Sequence, residues 1–297
     1  MEIIDAHAHI YECLTGFGPR GEARAIGGGM VEWATGKRER FLRECDGDTG
    51  FSPERLLHLM DEGGISHAVL LQGSNYGFQN SYVAEAVRKY PARFTGAGTL
   101  DPCCAEAREV FRNLTENLGF RILKFELSER YGLCGYHRGL AIDGPEFAPY
   151  LAMAEEMGLT VTLDTGAIDT SSFQIDGICR VLDRHKSLTL VVAHTLFPSA
   201  TDGRNAERLE LVKKMIRENL YFDTTIKGLD TPVVREYVRA VMDLVGADHM
   251  LWGTDCPGVF LRKSYREMLG EITDTNTFSA TEQALLLGGT AKKVYHC

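Results

Sequence analysis

Eight short apolar runs recur along the 297-residue chain, near residues 2–9, 67–72, 94–100, 121–127, 159–164, 188–194, 220–224 and 250–254, with helical segments between them. This alternation is the pattern of a parallel sheet covered by helices. Runs such as residues 188–193 (LTLVVA) are nearly continuous in apolar side chains, as strands buried on both faces require. Eight such units favour closure into a barrel over an open sheet. No Ser/Gly/Pro-rich or low-complexity tract offers a linker between two smaller domains, and the length suffices for one large core. The chain therefore reads as α/β, a single (β/α)8 barrel of the TIM type over residues 1–297.

Helix signals support the spacing. Ser52-Pro53-Glu54 opens a helix before Leu56, Leu57 and Leu59, and Thr231-Pro232 opens another carrying Val233, Tyr237, Val241 and Leu244. A third is built on Leu209, Val212 and Ile216, and helical turns around residues 283–287 and 291–295 close the chain. Two stretches break the repeat. Residues 11–50, with three successive glycines at 27–29 and a mixed charge run from Lys37 to Glu44, form an insertion after the first strand; residues 128–145 form one after the fourth. In parallel barrels the loops leaving the C-terminal ends of strands build the active-site rim, so both insertions are expected there as a lid. Arg20, Arg24, Trp33, Arg130, Tyr131, Tyr136, His137 and Arg138 become candidate substrate contacts, with ordinary loop roles as the alternative.

Charge narrows the partners. The chain carries 41 acidic and 32 basic residues, a formal net of −9, with no basic cluster able to follow a phosphate backbone, so a small-molecule substrate is expected rather than nucleic acid. No run is long enough to span a bilayer, no positively charged leader precedes an apolar stretch, and a homo-oligomer is compatible with the composition. Eight scattered cysteines without a CxxC pair suit reduced thiols, and a cytoplasmic location is expected.

The chemistry-bearing residues gather where strands should end. His7 and His9, two apart on the first strand, can approach one ion together, and neutral imidazoles ligate zinc, nickel, iron or manganese. Lys124 and Glu126 lie on the fourth strand, Asp164 ends the fifth, His194 ends the sixth and Asp255 ends the eighth. A barrel brings all of these around one mouth. A strand-terminal carboxylate there can ligate a metal or accept a proton, and His194 can polarise a carbonyl or shuttle a proton. His58, His67, His185 and His249 are read as surface, cap or packing residues, and Cys256 as a small packed residue.

In these motifs the chain resembles the amidohydrolase superfamily, and more closely its amidohydrolase-related branch of metal-dependent hydrolases and decarboxylases. Asp5-Ala6-His7-Ala8-His9 is similar to the family's first-strand metal motif and Val192-Ala193-His194 to its sixth-strand histidine. Trp252-Gly253-Thr254-Asp255-Cys256-Pro257 resembles its eighth-strand aspartate motif, and residues 288–295 its closing helix, with Thr290 where asparagine is usual. The resemblance implies one divalent ion, zinc first and manganese or iron as alternatives, held by His7, His9, Asp255 and, in place of the usual fifth-strand histidine, Asp164. Three arrangements stay open for Asp164: substitute ligand, relic of a site without metal, or a side chain turned away to hold a neighbouring group.

Lys124 resembles the fourth-strand lysine that, once carbamylated, bridges two metals in several branches of the superfamily, but a single ion is the expectation here. Lys124 and Glu126 then act as an internal pair or, with Arg20 and Arg130, as contacts to a carboxylated substrate. Asp255 and His194 are the expected catalytic residues. The implied reaction is hydrolysis of an amide, lactone or ester; the alternatives are non-oxidative decarboxylation of an unsaturated or aromatic acid, and a non-catalytic binding barrel.

Overall fold

In the computed structural model, which describes residues 1–225 and 228–297, the strands are β1 (Ile4–Ala8), β2 (Thr15–Gly18), β3 (Gly21–Gly27), β4 (Met30–Trp33), β5 (Arg38–Arg40), β6 (His67–Leu70), β7 (Phe94–Gly98), β8 (Ile122–Glu126), β9 (Thr160–Asp164), β10 (Thr189–Val192), β11 (Leu220–Asp223) and β12 (Met250–Leu251). Eight of them form a parallel sheet in the order β1-β6-β7-β8-β9-β10-β11-β12, the TIM-barrel arrangement expected from the sequence. The sheet returns on itself through the segment after β12. Ala6 N–H donates to Trp252 O at 2.9 Å, Asp255 N–H to His7 O at 2.8 Å and His9 N–H to Cys256 O at 2.9 Å.

Local signals place the outer helices. Ser52 caps helix Pro53–Gly63 by accepting from the Arg55 N–H, and Pro232 opens helix Pro232–Val245 at a position where its missing N–H costs nothing. The interior is layered. Ile4, Ala6, Val69, Leu71, Ala97, Ile122, Val191, Tyr221 and Leu251 form one apolar cluster with Ala291, Val294 and Tyr295 of the last helix. That helix plugs the end where strands begin, because Thr160 Oγ1, on the first residue of β9, donates to Val294 O at 2.7 Å. One step further along the strands the same inward parity gives Lys124 opposite Thr162, and a step beyond that Glu126 opposite Asp164. The barrel is apolar at its base and polar at its mouth.

Residues 11–50 contain a four-stranded antiparallel sheet, in the order β2-β3-β4-β5. Its strands are short and half-exposed, with Ala23, Val31 and Trp33 turned inward, which is why the segment shows so little apolar periodicity. Residues 128–145 contribute the short turn Leu133–Gly135 and otherwise irregular backbone. The two insertions meet: Phe17 of β2 packs edge-on against Tyr136 at 5.4 Å, and Trp33 stacks near Tyr131 at 6.5 Å.

The closing seam rests on Asp5, fully buried on β1. Its carboxylate accepts from His7 N–H at 3.1 Å, Thr254 N–H at 3.0 Å, Thr254 Oγ1 at 2.6 Å and Tyr265 OH at 2.8 Å. Four donors facing one side chain suit an acceptor that carries no proton of its own. Asp5→Asn keeps the shape but turns an NH2 group toward donors, so urea unfolding should show a loss of about 2 kcal/mol.

Candidate metal-binding active site

At the mouth, β1 departs from regular pairing. Its register with β6 shifts between Asp5 and Ala8, so strict alternation from the inward Ile4 and Ala6 is broken and His7 is re-aimed into the barrel. The His7 and His9 rings lie 5.0 Å apart. Each is oriented through Nδ1: His7 against Asp223 Oδ2 at 2.9 Å and His9 against Leu71 O at 2.9 Å. Both Nε2 atoms are thereby left toward Asp255, whose Oδ1 lies 3.0 Å from His9 Nε2 and 3.9 Å from His7 Nε2. The three side chains place ligand atoms within 4.8 Å of one another.

This donor set fits a divalent ion. Two imidazoles fixed by a carboxylate and a carbonyl through the opposite nitrogen, with a carboxylate oxygen beside them, is the arrangement by which proteins orient metal ligands. Burial lowers the His7 pKa to about 4 in spite of the Asp223 charge, which keeps the ring neutral and its Nε2 lone pair available. Burial works against ionisation of Asp255, but with no ion between them the His9 Nε2 bond and the nearby imidazoles outweigh it and hold the carboxyl at about 2; an ion would take the place of the Nε2 proton.

Asp164 stands outside this group of ligand atoms. Its Oδ2 meets His194 Nε2 at 3.0 Å and its Oδ1 accepts from Gly166 N–H at 2.8 Å, so both oxygens are engaged by other partners. His194 Nδ1 faces Thr225 O at 2.8 Å, so both ring nitrogens have acceptors. Burial disfavours the imidazolium, yet the Asp164 charge and hydrogen bond raise His194 to about 10. The same pairing holds Asp164 well below the usual carboxylate range against the effect of burial.

Lys124 and Glu126 reach the floor of the mouth. The Lys124 side chain is fully buried, its Nζ lies 3.8 Å from Glu126 Oε2, and it has no hydrogen-bond partner among the described residues. Burial, and then the Asp164 charge, push the Glu126 carboxyl well above the usual range, and its Oε1 is also unpartnered among the described residues. The two candidate arginines are committed elsewhere. Arg20 pairs with Glu39 at 3.0 Å over the Trp33 ring, and Arg130 is exposed with its guanidinium over Tyr131.

Two contributors were not anticipated. Asp223 ends β11 as Asp164 ends β9, a strand-terminal carboxylate that the same reading could have flagged. Tyr76, in the turn Ser74–Tyr76 after β6, puts its ring 5.0 Å from His9, and burial raises its hydroxyl well above the usual phenol value. Four other histidines take the plain roles expected of them: His67 bonds Thr95, His185 pairs with Glu155, His249 bonds Leu220 O and His58 faces Glu62 on the exposed side of helix Pro53–Gly63.

A family model described as Amidohydrolase matches residues 4–297. The chain belongs to the amidohydrolase family. Among solved structures, this amidohydrolase is similar to a probable 2-pyrone-4,6-dicarboxylic acid hydrolase from Acinetobacter baumannii with citric acid bound, at 17% identity over 100% of both chains and a TM-score of 0.70. It is similar to an amidohydrolase from Burkholderia multivorans with bound zinc, at 16% identity over 100% of this chain and 99% of that one, TM-score 0.70. A 5-carboxyvanillate decarboxylase from Sphingomonas paucimobilis shares 18% identity over 81% of this chain and 82% of its own, TM-score 0.55. No curated protein matches the sequence. No helix among the described residues is long and apolar enough to cross a membrane.

The His194–Asp164 pair gives this amidohydrolase a definite pH signature when stripped of metal. His194 is raised from 6.5 to about 10, so its contribution is complete below 6.5 and is lost as pH climbs toward 10. Asp164 is depressed below 3.8, so its contribution is present above that value and lost in acid. Urea unfolding between pH 6 and 10 should therefore show a larger alkaline loss for the wild type than for Asp164→Asn, with the variant destabilised by about 3 kcal/mol at pH 6. Parallel curves would remove the pair from the site.

Proposed function

We propose that this amidohydrolase is a metal-dependent hydrolase of a small carboxylated lactone, ester or amide, with His7, His9 and Asp255 holding one divalent ion, zinc first. A bound ion there supplies Lewis acidity and lowers the pKa of a coordinated water. Asp164 holds His194 instead of joining the ligands. The observation that carries the reading is the ionised Asp255: at 37% side-chain exposure it is the most open carboxylate of the group, and it sits where it can take a proton from an attacking water. His194, kept protonated by Asp164, lies with its ring centroid 5.1 Å from His7 and presents fixed positive charge to a developing oxyanion. Lys124, buried and unpartnered, supplies the cation that a substrate carboxylate would satisfy. The neighbours whose names carry a dicarboxylic acid and a carboxyvanillate, and the citric acid in one of them, support that substrate class.

One feature favours decarboxylation as the second reading. Glu126, whose carboxyl burial and the Asp164 charge push upward, lies on the same floor and is placed to give a proton to carbon once carbon dioxide leaves. The zinc-loaded enzyme should be offered lactones, esters and amides, each with and without a carboxylate, beside aromatic and muconate-like acids. Acid release from the carboxylated lactones or esters without carbon dioxide is the expected result; carbon dioxide from the acids alone would establish the second reading.

Two variants follow from the same geometry. Lys124→Met should raise KM for the carboxylated substrate by roughly tenfold or more while kcat changes less, as loss of a charge-assisted contact implies. The double variant His7→Ala, His9→Ala should drop metal content from roughly one ion per chain to near zero, and unchanged content would refute the ligand set.

A further inference from the structure

Besides His7, His9 and Asp255, the described residues hold one other group of three side chains whose ligand atoms converge: Asp101, Cys103 and His137. We propose that these three form a second metal site, on the barrel rim, for a thiophilic divalent ion such as zinc. They come from different segments. Asp101 and Cys103 follow β7, and His137 belongs to the insertion after β8, so the convergence is a product of the fold and not of sequence neighbourhood. Their ligand atoms all lie within 4.8 Å of one another. Zinc bonds of about 2.0 to 2.3 Å in tetrahedral geometry put ligand atoms about 3.3 to 3.6 Å apart, so rotamer adjustments at the surface suffice to close the set.

The local bonding already positions the donors. Asp101 Oδ1 accepts the Cys103 N–H at 2.9 Å, folding the cysteine back over the carboxylate, while Oδ2 meets His137 Nε2 at 2.7 Å. An ion would enter between the imidazole and that oxygen, with the Cys103 sulfur completing three protein ligands and a fourth position left to water. Cys103 is exposed, so entry from solvent needs no opening of the fold. Burial and the neighbouring Asp101 and Glu146 raise the thiol, so coordination must expel a proton; the free site is then a neutral thiol beside an imidazole–carboxylate pair.

Occupancy would tie the rim together. His137 adjoins Tyr136, which packs edge-on against Phe17 of β2 at 5.4 Å. An ion joining residues 101–103 to residue 137 therefore fixes the segment that the antiparallel sheet leans on, at the C-terminal face of the barrel where the His7 cluster opens. The ligand sets differ in kind: His7, His9 and Asp255 contain no sulfur, whereas the rim site does. That difference makes the two sites separable by spectroscopy.

Cadmium titrated into the full-length, metal-stripped protein provides the test, read by the ultraviolet charge-transfer absorbance of cadmium–thiolate bonds. A thiolate band that saturates by about two cadmium per chain is expected, because the stripped His7 cluster takes an ion without adding sulfur absorbance; the band is absent in Cys103→Ser, weakened roughly tenfold or more in affinity in His137→Ala, and retained in Cys104→Ser. Absence of the band in the wild type, or its persistence in Cys103→Ser, would overturn the proposal. So would equal loss in Cys103→Ser and Cys104→Ser with His137→Ala unaffected, since that pattern means capture by two adjacent thiols and not the three-residue site.

Discussion

The hydrogen bonds that join β1 to the segment after β12 close the barrel and build the mouth in a single act. Asp255 N–H donates to His7 O, and His9 N–H to Cys256 O, so the backbone pairing that ends the sheet also sets Asp255 beside both histidines. Asp255 holds a left-handed conformation at φ 62°, a region disfavoured for a residue with a Cβ, and it is held there by this pairing. Gly253 is required nearby for a different reason: a Cβ there would meet His7 Cβ at 2.7 Å and Thr225 at 2.9 Å. Closure and ligand geometry therefore cannot be varied independently.

A polar mouth above an apolar base requires that buried charges be paired. Asp223 is matched to His7 and Asp164 to His194, each through a hydrogen bond of 2.9 to 3.0 Å, and Asp5 is matched by four donors. Within this matched set the Lys124 amine is the exception. A buried amine whose nearest carboxylate oxygen, Glu126 Oε2, stands 3.8 Å away without a hydrogen bond leaves donors for a ligand to complete, which is why it weighs more in the functional reading than the arginines of the rim.

Much of this was legible in the sequence because it depends on short-range pattern. The eight strands fall where the apolar runs lie, and Ser52, Thr231 and Pro232 mark helix starts through local backbone chemistry. The positions of His7, His9, His194 and Asp255 follow from strand ends. What was hidden depends on partners far along the chain. Whether Asp164 faces His194 or the β1 histidines is a matter of side-chain direction across the mouth, and Asp223 looks unremarkable until His7 lies beside it. The antiparallel sheet of residues 15–40 was hidden for another reason: its strands bury too few side chains to leave a period.

The clearest case of hidden geometry is the turn after β10. His194, Thr195, Leu196 and Phe197 all have positive φ, between 45° and 63°, although none is glycine. Single excursions of this kind cost on the order of 1 to 2 kcal/mol each, so four in succession persist only where surrounding bonds dictate them. Here they do. Asp223 Oδ1 accepts the His194 N–H at 2.7 Å, Asp223 O accepts from Thr195 Oγ1 at 2.5 Å, Tyr237 OH donates to Thr195 O at 3.0 Å and Arg208 Nε donates to Leu196 O at 3.1 Å. Asp223 thus restrains the His194 turn with one oxygen while its other orients His7. One buried carboxylate on β11 couples a metal-ligand candidate on β1 to the His194 ring after β10, and the bonds that hold the turn set that ring against Asp164.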